Sequence, residues 1–192
     1  MIRSVLHRCA VGLGVLALVG SAVAAELNGG AIVTRTALRN APSVFAEKGK
    51  GRIAFLGGSI TEGNYFRPIV QTDLQQRFPS ATLSFTVAGL SSTCSTSGAF
   101  RFQEDILAKG VPDVLFVEFA VNDDQDGFGG HSYDDCVHGM EGIVRQARRA
   151  NPKMDIVMIL FTNANELSLV RQGQTPVPYA GHLAVAEHYG IP

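Results

Sequence analysis

No segment of this chain is massed with positive charge: 16 Lys and Arg stand against 17 Asp and Glu, for a formal net charge of −1. A near-neutral chain exerts no long-range pull on phosphate or anionic lipid, which argues against a nucleic-acid binder working through a basic face. Cysteine is scarce, three in 192 residues. No repeat, low-complexity block or linker interrupts the sequence, and no pair of histidines or carboxylates has the spacing of a metal site. Nothing in the sequence calls for a cofactor. The longest apolar run, Cys9 to Val19, is too short to span a ~30 Å hydrocarbon core.

That run does carry information. Arg3, His7 and Arg8 precede it, and the small residues Ser21-Ala22-Val23-Ala24-Ala25 follow. A basic start, a short apolar run and an Ala-x-Ala site are the pattern of a secretory signal peptide, expected to be cut after Ala24. Export to the periplasm or beyond is therefore expected, with no stable membrane anchor after cleavage. Cys9 leaves with the leader, so Cys94 and Cys136 remain, and an oxidising compartment would permit one disulfide between them or leave two separate thiols.

Hydrophobic residues make up 46% of the chain, enough for one ordinary globular domain with a sizeable core. Residues 25–50 give no distinct pattern and read as a lead-in; the domain is expected over residues 51–192. Arg52 to Leu56 reads as a buried strand ended by Gly57-Gly58. Phe66, Ile69, Val70, Leu74 and Phe78 recur at helical spacing, with Pro68 near the helix start. Leu83 to Ala88 is a second strand. A helix over Gly98 to Lys109 follows, its core face Ala99, Phe102 and Ile106. Val114 to Val121 is almost wholly apolar, as a parallel strand covered on both faces would be. Met140, Ile143, Val144 and Ala147 mark an amphipathic helix with Arg145, Arg148 and Arg149 on its solvated side. Asp155 to Phe161 is a fourth strand and Ala180 to His188 a further helix. Alternating strands and helices imply a three-layer α/β/α sandwich on a parallel sheet, flavodoxin-like in order. Beyond residue 24 there are 192 − 24 = 168 residues, and the last helix has no return strand. The expectation is an incomplete sequence, with the fifth strand and final helix missing.

In an open parallel sheet, ligands bind beyond the carboxyl ends of the strands, near the point where strand order reverses. Three segments converge there: Gly57-Gly58-Ser59-Ile60-Thr61, Ala88-Gly89-Leu90-Ser91-Ser92 and Ala120-Val121-Asn122-Asp123-Asp124. A serine in a glycine-flanked turn after a buried strand presents its hydroxyl at the start of a helix, where the first amides are free. A tetrahedral intermediate needs donors aimed at its oxyanion, and the amides of Ser59 and Gly89 with the side-chain amide of Asn122 could form that set. Taken singly, each of these residues is also ordinary turn chemistry.

Together the segments resemble the SGNH, or GDSL-like, hydrolases, whose signature is serine, glycine, asparagine and histidine in four separate blocks. Gly57-Gly58-Ser59-Ile60-Thr61 is similar to the first block, Gly89 to the second and Asn122-Asp123 to the third. The resemblance implies Ser59 as nucleophile and Ser59, Gly89 and Asn122 as oxyanion donors in a serine esterase acting on O-acyl esters of a carbohydrate or other small polar substrate. Gly58 stands where the family often has aspartate, and Ala120 where it often has glycine. The fourth block, an Asp-x-x-His after a fifth strand, is absent, so the segment is expected to be nearly inert on its own.

Asp135-Cys136-Val137-His138 spells the same pattern in a different place, where Asp134 or Asp135 is expected to cap a helix and His138 to lie on its surface. His131 falls in a glycine-rich loop, and His182 and His188 on the last helix are expected at solvated positions. Three other readings use the same residues: an O-acyltransferase acting on glycan, a non-catalytic glycan-binding domain, and a flavodoxin-like mononucleotide binder cradling phosphate at Ser59 to Asn64. The serines and threonines from Ser91 to Ser97 favour a hydrophilic substrate. Oligomeric state is not legible.

Overall fold

The computed structural model describes Arg35, Leu38 and residues 40–124 and 130–192. The expected signal peptide lies outside the described residues. No helix among those described is long and apolar enough to cross a membrane.

Four parallel strands form the sheet: β1 (Lys50–Gly57), β2 (Thr82–Gly89), β3 (Val114–Glu118) and β4 (Asp155–Met158). Their order is β2-β1-β3-β4. The chain begins in the middle, steps outward to β2, then crosses back over β1 to β3, so strand order reverses between β1 and β3. Register is continuous along the first pair, from Lys50 opposite Thr82 to Gly57 opposite Gly89.

Alternation along β1 divides the core. Ile53 and Phe55 point to one face, where they meet Val114 and Phe116 of β3, Ala41 and Phe45 of α1 (Asn40–Lys48), and Phe66, Val70 and Leu74 of α3 (Phe66–Arg77). Ala54 and Leu56 point to the other, against Leu115, Val117 and Ile156. There they are covered by Phe102 of α4 (Ser95–Asp105), by Met140, Ile143, Val144 and Ala147 of α6 (Tyr133–Ala150), and by Val185 and Ala186 of α8 (Val177–His188). The result is the three-layer α/β/α arrangement read from the sequence.

Several elements differ from expectation. The stretch that gave no pattern contains α1, whose start is held by Asp155: the amides of Asn40 and Ala41 donate to its Oδ2 at 3.1 and 2.8 Å. The expected third strand stops at Glu118, and Ala120–Asp123 turns into a single-turn helix, α5. The fourth strand ends at Met158, and a helix the sequence did not signal, α7 (Ala164–Arg171), follows. It opens with a capping box in which Asn163 accepts from the Glu166 amide and Glu166 accepts from the Asn163 amide. That signature is legible once sought. Helix α6 starts at Tyr133, with Ser132 as the cap and Asp135 closing the box from the third position. Asp135 thus belongs to the helix start as expected, but the capping residue is the serine.

Candidate active site

Beyond the carboxyl ends of β1 and β3, where strand order reverses, Gly57-Gly58 leads into α2 (Ser59–Glu62), one helical turn. Ser59 is exposed at its first position. So short a helix does not hold itself together, because nucleation costs more than one turn of hydrogen bonds returns. The surroundings hold it instead. From β3, the Glu118 carboxylate reaches under the turn, and its Oε1 accepts from the amides of Gly58 and Thr61, each at 3.1 Å, and from the Thr61 hydroxyl at 2.6 Å. From α3, the buried Arg67 donates to the carbonyls of Thr61, Glu62 and Gly63 at the end of the turn. These are the groups a helix end leaves without partners. The turn is thus gripped by a carboxylate at its amide end and a guanidinium at its carbonyl end, each matching the local dipole. Arg101 of α4 adds a bond to the carbonyl of Gly57 at 2.9 Å.

Glu118 is 1% exposed and its Oε2 is buried without a partner. Burial pushes its carboxyl above the ordinary carboxylate range, although the hydrogen bonds from Thr61 and Gly58 pull the other way.

The three residues singled out from the sequence meet around this turn. A Cβ on Gly58 would fall 2.4 Å from Oδ1 and 2.8 Å from Nδ2 of Asn122, so the Asn122 amide lies directly against the residue before Ser59. A Cβ on Gly89 would fall 2.1 Å from the amide nitrogen of Glu62, so only glycine lets β2 press its end against α2. The Leu90 amide donates to the Gly57 carbonyl at 3.0 Å. In a parallel pair the bonds of Gly57 go to the residues flanking Gly89. The Gly89 amide therefore points away from β1. The rim is polar: the amide and hydroxyl of Ser91 both donate to Oε2 of Glu62.

Among the described residues, no histidine bonds Ser59. His138 is exposed on α6, as read from the sequence. His182 is the exception to expectation. It is 1% exposed, and its Nε2 lies 2.8 Å from Oδ2 of Asp123, itself fully buried. Pro178, Gly181, His182, Val185 and Ala186 form the buried stripe of α8, so position 182 faces inward by the same helical spacing that buries its neighbours. The other Asp123 oxygen accepts from the Ser95 amide at 2.8 Å.

Cys94 and Cys136, the cysteines among the described residues, are free thiols. Burial, with the nearby Asp123 carboxylate second, pushes the Cys136 thiol up to about 12. At Cys94, burial opposes ionisation, but hydrogen bonds from Ser97 and Thr96 and the proximity of His131 outweigh it and hold the thiol below its ordinary value. Two triplets, Cys94 with Asp123 and His131, and Asp123 with Cys136 and His182, bring nitrogen, sulfur and oxygen atoms within 4.8 Å of one another. Both share Asp123, whose two oxygens are already engaged by Ser95 and His182.

Glu118, Arg67 and the Asp123–His182 pair are the residues that sequence reasoning missed. A signal existed for the first: a charged residue in an otherwise apolar strand that is covered on both faces has to find partners.

The description "GDSL-like Lipase/Acylhydrolase family" belongs to the family model that matches residues 55–189. Among solved structures, a two-domain esterase (CEX) active on acetylated mannans is 27% identical with a TM-score of 0.64. The match covers 83% of this chain and 41% of that one, so this chain spans about two fifths of that protein's length. A catalytic mutant of Axe2, an acetylxylan esterase from Geobacillus stearothermophilus, is 19% identical over 73% of this chain and 74% of that one, with a TM-score of 0.60. A putative GDSL-like lipase from Parabacteroides merdae is 18% identical over 73% and 75%, also at 0.60. These last two carry the fold alone. No curated protein matches the chain.

Proposed function

Because the chain belongs to the GDSL-like lipase/acylhydrolase family, we propose that it is a serine esterase that removes O-acyl groups, acetyl foremost, from a carbohydrate or another small polar substrate. The observation that carries this reading is the exposed Ser59 on a turn against which both the Asn122 amide and the Gly89 backbone are packed. Attack by Ser59 Oγ on the ester carbonyl would place the developing oxyanion among the amides of Ser59 and Gly89 and the Nδ2 of Asn122. Held in advance, such donors cost no reorganisation during the reaction. The acyl group passes to Ser59 as the alcohol leaves, and water then releases it. The proton of Ser59 finds no histidine acceptor among the described residues; the Asp-x-x-His block that the resemblance implies would supply one.

Two observations favour a carbohydrate ester. The 27% identical solved structure is an esterase active on acetylated mannans, and the rim beside the turn carries hydroxyls at Ser91, Ser92 and Thr93. Export follows from the leader pattern at residues 1–24, and secretion by a bacterial host should yield a mature N-terminus at Ala25, read by intact mass.

The test is hydrolysis of p-nitrophenyl acetate, p-nitrophenyl octanoate and acetylated mannan by this chain and by the longest product its gene encodes. Expected are release of acetate from the short ester and the glycan in preference to the octanoate, and a loss of about 10⁴-fold or more in Ser59→Ala. The chain alone is expected to be nearly inactive. Turnover that survives Ser59→Ala would overturn the reading.

A further inference from the structure

Asn122 stands on weak footing of its own. It belongs to α5, a single turn whose preceding residue, Phe119, offers no side-chain cap. Its amide makes no hydrogen bond to a described side chain, so its place over Gly58 depends on the backbone from which it hangs. That backbone is fixed by the next residue. Asp123 receives the Ser95 amide from α4 on Oδ1, holds Nε2 of His182 from α8 on Oδ2, and accepts the His131 amide on its carbonyl at 3.0 Å. Helix α8 in turn has a fixed origin, because a Cβ on Gly181 would fall 2.7 Å from the Cβ of Cys136 on α6. A chain of rigid contacts therefore runs from α6 through α8 and His182 to Asp123 and the Asn122 backbone.

A buried polar pair is a poor source of stability, since desolvation offsets much of what the bond returns. What it does supply is direction, and the direction here ends at the residue beside the oxyanion amide. We infer that His182 and Asp123 are positioning residues that set the orientation of the Asn122 side chain over the Ser59 turn. Neither need touch the substrate. The consequence for turnover rests on the esterase reading above; the geometric claim does not.

The geometric claim is read on this chain by the side-chain amide resonances of Asn122 in a ¹⁵N–¹H spectrum, identified by their loss in Asn122→Asp. In the parent chain they should form one sharp pair displaced from random-coil positions. In His182→Ala the pair should broaden or return to random-coil positions while the backbone amides of Ile53–Leu56 and Leu115–Val117 stay in place. His182→Gln, whose amide nitrogen can reach Asp123, should restore it. An unmoved Asn122 pair in a folded His182→Ala overturns the inference. Should that variant fail to fold, His182→Phe, which keeps a ring in place and cannot bond Asp123, carries the same test with the same deciding outcome.

In the longest active product of the gene, His182→Ala should lower kcat about 10- to 100-fold with KM unchanged, a part of what loss of an oxyanion donor costs. An unchanged kcat in the folded variant counts against the inference. If that product has no esterase activity at all, the esterase reading fails, and the resonance experiment still decides the positioning role.

Discussion

Glu118 shares with Arg67 the task of holding the Ser59 turn, and one of its oxygens gathers three donors from Gly58 and Thr61. Glu118→Ala leaves those donors buried without a partner, and each such group costs roughly 1–3 kcal/mol. Urea unfolding should show a loss of at least about 3 kcal/mol, whereas Glu118→Gln, which keeps a carbonyl oxygen, should cost about half as much or less. The pH dependence has a defined sign. Burial raises the folded value of this carboxyl above its ordinary 4.5, so the folded state holds the proton longer than the unfolded state. Its contribution is full below pH 4.5 and declines as pH rises through the folded value. Wild-type stability measured against Glu118→Gln should therefore fall between pH 4.5 and neutrality; a gap that widens in that range would refute the assignment. Sequence reasoning singled out Ser59, Gly89 and Asn122 because they sit where strands end, and the structure brings all three to the carboxyl edge of the sheet. That reasoning passed over Glu118 and placed His182 in solvent: a lone carboxylate in an apolar strand and the inward spacing of α8 were legible, but their partners, 57 to 60 positions away, are recorded in no local pattern.

Among elements, the central strands β1 and β3 were legible because a parallel strand covered on both faces is an apolar run, and the edge strand β2 because Leu83, Phe85 and Val87 alternate with Ser84 and Thr86. The single-turn helices α2 and α5 were not, because four residues carry no periodicity and exist only through tertiary bonds. Helix α7 was missed for a related reason: its one fully buried residue is Glu166, so no apolar stripe announces it. The contact of β2 with α2 gives a prediction at this scale. Gly89→Ala puts a methyl 2.1 Å from backbone that cannot yield without moving the turn. It should cost about 1–3 kcal/mol by thermal or urea unfolding, as overpacking does. In the longest active product of the gene it should also slow reaction of Ser59 with a fluorophosphonate probe relative to the parent. Equal labelling of variant and parent would dismiss the contact as incidental to the site.

For the whole molecule, Cys94 and Cys136 sample opposite surroundings. Cys94, half-buried and held below its ordinary value, should react with Ellman's reagent at neutral pH, while Cys136 in the core should not react until the chain unfolds. Cys136 also sets an alkaline limit. Its folded value of about 12 exceeds the ordinary 9.0, so the unfolded chain loses this proton first. Stability then falls above pH 9 by up to about 1.4 kcal/mol per pH unit from this group alone. Cys136→Ala should remove that part of the slope, and an unchanged slope would place the alkaline sensitivity elsewhere. One further consequence lies in the order of the strands. Every Glu118 bond that shapes the turn after β1 crosses to β3, and β2 and two helices intervene along the chain. A partly folded chain in which β3 has not yet docked has no formed Ser59 turn. When the longest active product of the gene refolds, Ser59 reactivity should therefore return together with, and never ahead of, the pairing of the two central strands.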